Sequence, residues 1–222
     1  MIERGTADRF RDLVQRRLLP GLAELGFRDR LPGSLVATEA HGVVWLLDVD
    51  IASWSTPQRV CFTISWGAHV PGLDEVVGDP VPETPTVDTS AVHGRLGERE
   101  GGIDPLWFEL RSFPRLVAGM TDATLANQVL AKVGTEVVPV LRGLATPVEV
   151  QRRLYAGLLT GRHHPDGLEL QTIRRIAALS LLLGDRPNAA RWLDHLEARS
   201  AATMAPDLVA ERLAPLRQRL AS

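Results

Sequence analysis

The run Arg59–Val70, RVCFTISWGAHV, decides the fold class. Val60, Phe62, Ile64, Trp66 and Ala68 occupy every second position, with Cys61, Thr63, Ser65 and His69 among the alternate ones. Successive side chains of a strand point to opposite faces, so the spacing predicts a strand with one apolar face. Val43–Ala52 repeats the pattern: Trp45, Leu47, Val49 and Ile51 share one face, and Asp48 and Asp50 lie on the other. A His41-Gly42 turn leads back to a further strand at Ser34–Glu39, and a turn containing Pro57 leads forward to Arg59. Val92–Leu96 and Leu106–Leu110 read as two more short strands. The expectation is an antiparallel sheet of about five strands with one buried face.

The flanks of the sheet are helical. Between Asp8 and Leu25, the residues Phe10, Leu13, Val14, Leu18, Leu22 and Leu25 form a stripe at helical spacing, ended by Gly26. Pro20 is expected to kink or split that helix, because proline lacks the N–H and its ring crowds the preceding turn. A second helix is predicted from Thr121 to about Leu144, with Leu125, Val129, Val133 and Val137 inward and a bend at Pro139. From residue 146 on there is no strand signal. Thr146, Pro147 and Glu149 supply an N-cap, an N1 proline and a capping-box carboxylate. Further helices are predicted at Leu168–Leu183, Arg186–Arg199 and Pro206–Leu220, the first two joined as an αα-hairpin through Gly184. The chain therefore reads as an α+β sheet domain over residues 1–145, followed by a helical region over 146–222 packed on it. Pro71–Ser90 carries Pro71, Pro80, Pro82 and Pro85 and reads as a long irregular surface excursion.

Composition narrows the function classes. The chain has 222 residues, 45% of them hydrophobic, which is enough for a packed core. A formal net charge of −2 gives no global attraction to nucleic acid or anionic membranes. Lys132 is the only lysine, so the positive charge is carried by arginine. Cys61 is the only cysteine, which excludes an intrachain disulfide and a multi-cysteine zinc site. The opening MIERGTADRF is charged and has no apolar core, so no secretion signal is expected. The longest apolar run, Ile176–Leu183, is far shorter than a bilayer span. A soluble, cytoplasmic protein is expected.

No phosphate-binding loop, zinc-protease motif, nucleophile elbow or dinucleotide fingerprint occurs, and no cofactor is expected. The chemistry gathers instead on the face opposite the apolar one. Projection of the strands places Asp48 and Asp50, Thr63, Ser65 and His69, His93 and Arg95, and Trp107, Glu109 and Arg111 on that face. Between the last two strands lies VHGRLGEREGGIDPLWFEL, Val92–Leu110, with Gly94, Gly97, Gly101 and Gly102. Those glycines permit φ > 0 or close backbone approach and mark a shaped elbow that aims the chain toward Trp107. The candidate binding residues are Asp48, Asp50, His93, Arg95, Glu98, Trp107 and Glu109. The same residues are also what a solvated sheet face carries, and the sequence leaves both readings open. His69, His93, Asp74 and Glu75 match no metal-ligand spacing, and His163-His164-Pro165-Asp166-Gly167 reads as a turn. Cys61 lies on the face assigned to solvent and reads as an inert, half-buried thiol.

One resemblance can be placed on these residues. A helix ending LAELGFRDR, the strand FTISWGAHVPG, a Pro-rich loop, VHGRLGEREGGIDPLWFEL and a helix ending VVPVLRGLATPVEV occur in that order. The series resembles the uncharacterised bacterial family called domain of unknown function 4304, over roughly residues 8–150. The departure is Ser65-Trp66, where that family's strand carries an Asn-Leu-like pair. The resemblance implies an α+β domain and no assigned activity.

Two functions follow as expectations. The first is a non-catalytic protein-interaction module, of the immunity or accessory kind found beside bacterial toxins, with a protein partner docking on the polar sheet face. The second is a small-ligand binder or enzyme that uses His93, Arg95 and Trp107 around the glycine elbow.

Overall fold

The computed structural model describes residues 5–30, 36–98, 105–111, 121–160, 168–200 and 206–222. They form two compact units. The first draws on residues up to Ala40, on Val44–His69 and on Thr86–Gly143; the second on His41–Val43, Val70–Pro85 and the chain from Leu144 onward.

The first unit is an antiparallel sheet packed on two helical rods, the α+β architecture that the alternating strands predict. The strands are β1 (Asp29–Arg30), β2 (Val36–Ala40), β3 (Val43–Ile51), β4 (Arg59–His69), β5 (Val92–Arg95) and β6 (Phe108–Arg111). They are ordered β1-β2-β3-β4-β5, and β6 also pairs with β4. The β2–β3 hairpin turns at His41 and Gly42, with φ of 47° and 86°. Positive φ at both central residues matches the right-handed twist of the flanking strands.

β5 and β6 are not two independent neighbours of β4. Ser65 pairs with Arg95 and Ala68 with Val92, whereas Arg59 pairs with Arg111 and Phe62 with Phe108. Both lie along the same edge of β4, end to end. The Leu96 N–H still reaches the Ile64 carbonyl at 2.8 Å, and the Leu106 N–H returns to the Leu96 carbonyl at 2.7 Å. The edge is thus a single strand interrupted by an excursion that leaves after Leu96 and rejoins at Leu106. Gly97 makes the exit possible: its φ is 77°, and a Cβ there would lie 2.6 Å from Leu106 Cβ. Gly101 and Gly102 lie outside the described residues, as does His163-His164-Pro165-Asp166-Gly167.

The helical rods are α1 (Thr6–Leu13) continuing into α2 (Leu19–Glu24), and α4 (Asp122–Lys132) continuing into α5 (Val138–Arg142). Neither breaks at its proline. Each passes through one π-helical turn, Val14–Leu18 in the first rod and Val133–Val137 in the second. The Leu19 N–H bonds the Val14 carbonyl, and the Val138 N–H bonds the Val133 carbonyl, five residues back in both cases. Each donor directly precedes a proline, Pro20 or Pro139. The wider turn moves aside the carbonyl four residues before the ring, where an α-helical turn would clash. The rods run side by side in one direction. Arg9 grips Asp122 with two guanidinium nitrogens, at 2.5 and 3.3 Å, and Gly21 packs against Leu130 further along.

One core results, joining the sheet face of Leu47, Val49, Phe62, Ile64, Phe108 and Leu110 to Leu13, Leu18, Leu22, Leu125, Val129, Val133 and Val137 of the rods. Phe62 sits fully buried in it, its ring 5.2 Å from Phe10 and 5.6 Å from Phe108. Two residues of the expected apolar positions fall outside: Ile51, at the strand end, is 51% exposed, and Leu25 lies at the C-terminal end of its rod, at the surface.

The second unit is helical: α3 (Leu73–Val77), α6 (Pro147–Leu159), α7 (Leu168–Leu182), α8 (Arg186–Ser200) and α9 (Pro206–Ala221). The capping box at α6 forms as its sequence demands. Thr146 Oγ1 accepts from the Glu149 N–H, and the Glu149 carboxylate accepts from the Thr146 N–H at 2.9 Å. α7 packs against α3, α6 and α8. The Pro-rich excursion is not wholly irregular, which corrects the sequence reading. Its first part is α3, with Leu73, Val76 and Val77 buried. Arg174 holds the end of α3 by bonding Asp79 at 3.0 Å and the Val77 carbonyl at 2.7 Å. Arg219 bonds Glu75 at 2.8 Å. No helix among the described residues is long and apolar enough to cross a membrane.

Candidate functional site

Directly paired residues of an antiparallel sheet share a face, so the register arranges the polar face in rows. Leu46, Gly67 and His93 form one row; Asp48, Ser65 and Arg95 the next; Asp50 and Thr63 the third, opposite the interruption in the edge strand; Cys61 and Glu109 the fourth. Trp107 precedes Phe108, one position beyond the Phe62–Phe108 pair, which places it at the Thr63 row.

This face is not simply wet. Leu46, Cys61, Thr63 and Ser65 on it are all buried. Cys61, expected to be half-buried on this face, is buried. Part of the cover comes from the chain that returns to β5. Val87 packs with Ala37 and Leu46 in a small second apolar cluster. Ser90 and Val87 cross so close to Gly67 that a Cβ there would meet Ser90 Oγ at 2.3 Å. Glycine inside a strand marks such an approach of another backbone, and β4 needs it at this position.

What stays accessible is a border of charged and aromatic groups. Asp50, Ser65 and Arg95 come together: Arg95 Nη2 lies 3.0 Å from Asp50 Oδ2, and Ser65 Oγ donates to the same oxygen at 3.4 Å. Both partners of the ion pair are partly exposed, so it is worth no more than about 1 kcal/mol. It fixes position more than it stabilises. Thr63, directly opposite Asp50, is left out: its buried Oγ1 has no hydrogen-bond partner among the described residues. Asp48 turns to the backbone and accepts from the Val49 N–H at 2.8 Å. His93 is exposed. Glu109 pairs with Arg111 two residues along its own strand, and that carboxylate raises the Arg111 guanidinium above its ordinary range.

Glu98 is exposed and is bonded to the backbone of the edge strand. Its carboxylate accepts from the Arg95 N–H at 2.9 Å, while its own N–H donates to the Arg95 carbonyl at 3.1 Å. In the β4–β5 ladder Leu96 bonds inward to Ile64, so the main-chain groups of Arg95 point outward. Glu98 thus closes the edge at Arg95, where a further strand would otherwise add. Glu98→Ala is expected to cost about 1 kcal/mol and to raise the hydrogen-exchange rate of the Arg95 amide, read by NMR, while neighbouring β4 amides keep theirs.

The aromatic anchor is a pair. Trp107 is half-buried and lies edge-on to Trp54, with ring centroids 4.7 Å apart. Trp54, in the β3–β4 loop, is 51% exposed and is the more accessible indole. Projection of strands passed over it because it lies in a loop. The available signal was composition: one large apolar ring in the Ser-, Thr- and Pro-rich run Ser53–Pro57. Among the described residues no three His, Cys, Asp or Glu side chains are placed to hold a metal ion. No family model, no curated protein and no solved structure matches this chain.

Proposed function

We propose that the protein is a non-catalytic interaction module that docks a protein partner on the rim of its polar sheet face, in the immunity or accessory class. The observation that carries this reading is the Trp54–Trp107 pair, an exposed indole braced edge-on by a second one beside the Asp50–Arg95 ion pair. Tryptophan and arginine are the residue types on which binding energy concentrates at protein interfaces. Bracing keeps the ordering cost low, because the ring is already held before a partner arrives. The proposal extends to the kinship that the motifs carry, with the sheet unit placed beside domain of unknown function 4304.

The test is a comparison of wild type with the Trp54→Ala, Trp107→Ala double variant. Proximity labelling in the native cell identifies the protein that the variant no longer marks. That protein is then purified and titrated. Loss of one hot-spot anchor costs about 2 kcal/mol, roughly 30-fold in Kd. A purified partner that binds wild type and variant equally rules the surface out.

A further inference from the structure

The helical unit carries a second surface, built by α6 and α8 where both pack against α7. Val148, Tyr155 and Leu159 lie on α6 at intervals of seven and four, one stripe of the helix. The stripe is unburied: Tyr155 is 44% and Leu159 68% exposed. The inner side of the same helix is occupied elsewhere, with Val150 buried and the Gln151 amide bonded to Ser180 Oγ of α7 at 2.7 Å. The stripe continues onto α8 as a row of rings. Tyr155 meets Trp192 edge-on at 5.7 Å, and Trp192 meets His195 at 6.0 Å.

Two exposed arginines border this row, and the Arg199–Glu169 ion pair closes it one turn beyond His195. Arg152 falls in the middle of the α6 stripe, between Val148 and Tyr155, and Arg191 lies one turn before His195 on α8. Both are exposed. The acids of α8 turn the other way: Asp194 and Glu197 hold Arg217 of α9. Glu149 is used in the capping box.

We propose that this face docks an acidic amphipathic helix of a partner protein. Its apolar side chains would lie along Tyr155, Leu159 and Trp192, with a carboxylate between them set on Arg152. Grooves of this kind read anchors spaced at i, i+4 and i+7. A second copy of this chain fits poorly. A two-fold interface puts the same patch on both sides, which sets Arg152 and Arg191 against their own copies. A membrane surface also fits poorly, because interfacial helices bury a broad apolar face and this stripe has an arginine at its centre.

The test uses two synthetic 15-residue helical peptides with leucine at i, i+4 and i+7. One carries glutamate at the flanking positions and the other lysine. Fluorescence polarisation against the full chain is expected to show the glutamate peptide binding at least tenfold tighter. Tyr155→Ala and Leu159→Ala each weaken it tenfold or more; the melting curve stays unchanged for Leu159→Ala, and Tyr155→Ala, which gives up its edge-on contact with Trp192, loses about 1 kcal/mol at most and remains folded. Arg152→Glu reverses the order of the two peptides. The Trp54→Ala, Trp107→Ala variant binds the glutamate peptide as wild type does, which separates this surface from the sheet-face proposal. Equal binding of the two peptides overturns the proposal, and so does indifference to Arg152→Glu. Self-association of the wild type that Tyr155→Ala abolishes assigns the face to a second copy instead. Binding to phosphatidylserine vesicles in place of the glutamate peptide assigns it to a membrane.

Discussion

Phe62→Ala is expected to be the costliest single substitution in the sheet unit, about 4 kcal/mol. The side chain is fully buried and lies on the central strand, β4. It is directly opposite Ile51 of β3 and Phe108 of β6, and its ring also meets Phe10 of α1. Truncation therefore removes two aromatic contacts and leaves a cavity shared by three elements that cannot all collapse into it. Aromatic pairs of this geometry add about 0.5–1.5 kcal/mol each beyond the area they bury. Against a total stability of about 5–15 kcal/mol, the variant loses a large fraction. The measurement is a urea titration followed by circular dichroism, with a melting temperature lower by something on the order of 10 °C. Phe62→Leu, which keeps most of the volume, should recover more than half of the loss. If Phe62→Ala melts within a degree or two of wild type, the packing described for this core is wrong.

Gly97→Ala is the second large effect, about 3 kcal/mol from two separate causes. A side chain at φ 77° meets its own carbonyl, and the added Cβ lies 2.6 Å from Leu106 Cβ and 2.9 Å from the Leu106 nitrogen. That nitrogen donates the 2.7 Å bond to Leu96 that brings the chain back onto β4. Backbone cannot yield there without losing the bond, so the cost extends beyond stability. The start of β6 is released, and Trp107 leaves Trp54. The expected signature is a red shift in tryptophan emission at temperatures where the protein is still folded. Gly26→Ala separates the two causes. Gly26 also has positive φ, 108°, but nothing stands within 4 Å of its Cβ position, so only the backbone term of roughly 1–2 kcal/mol should appear. Equal losses for the two variants would mean that Leu106 does not crowd Gly97.

Much of the architecture was legible in the residues. Period-two alternation located β3 and β4 to within a residue at each end, because a half-buried strand cannot hide which face it buries. Thr146, Pro147 and Glu149 announced the start of α6 through the bonds that an N-terminus lacks. The candidate face was legible in part. Asp50 and Arg95 belong to strands separated by β4, and their meeting follows from parity once the strand order is right. The cover over that face was not legible, since Val87 and Ser90 sit in a run with no period at all. Its only trace is Gly67, a glycine where strand geometry alone requires none. Nor does anything local state that β5 and β6 form one interrupted strand. Separate short strands and a broken one have the same alternation.

Sequence by itself determined what is local: the strand faces, the helix stripes, the caps and the turns that need positive φ. These depend on a few neighbouring residues and on the fixed periods of strand and helix. Tertiary structure alone decided which of those faces meets water. It turned a polar strand face into a half-covered one, moved the accessible indole from Trp107 to Trp54, and gave Glu98 to the sheet edge. It also set a π-helical turn just ahead of Pro20 and of Pro139. The physical reason for the first two is the same. Burial and hydrogen-bond partnership are properties of segments far apart in the chain, and no period in either segment encodes the other.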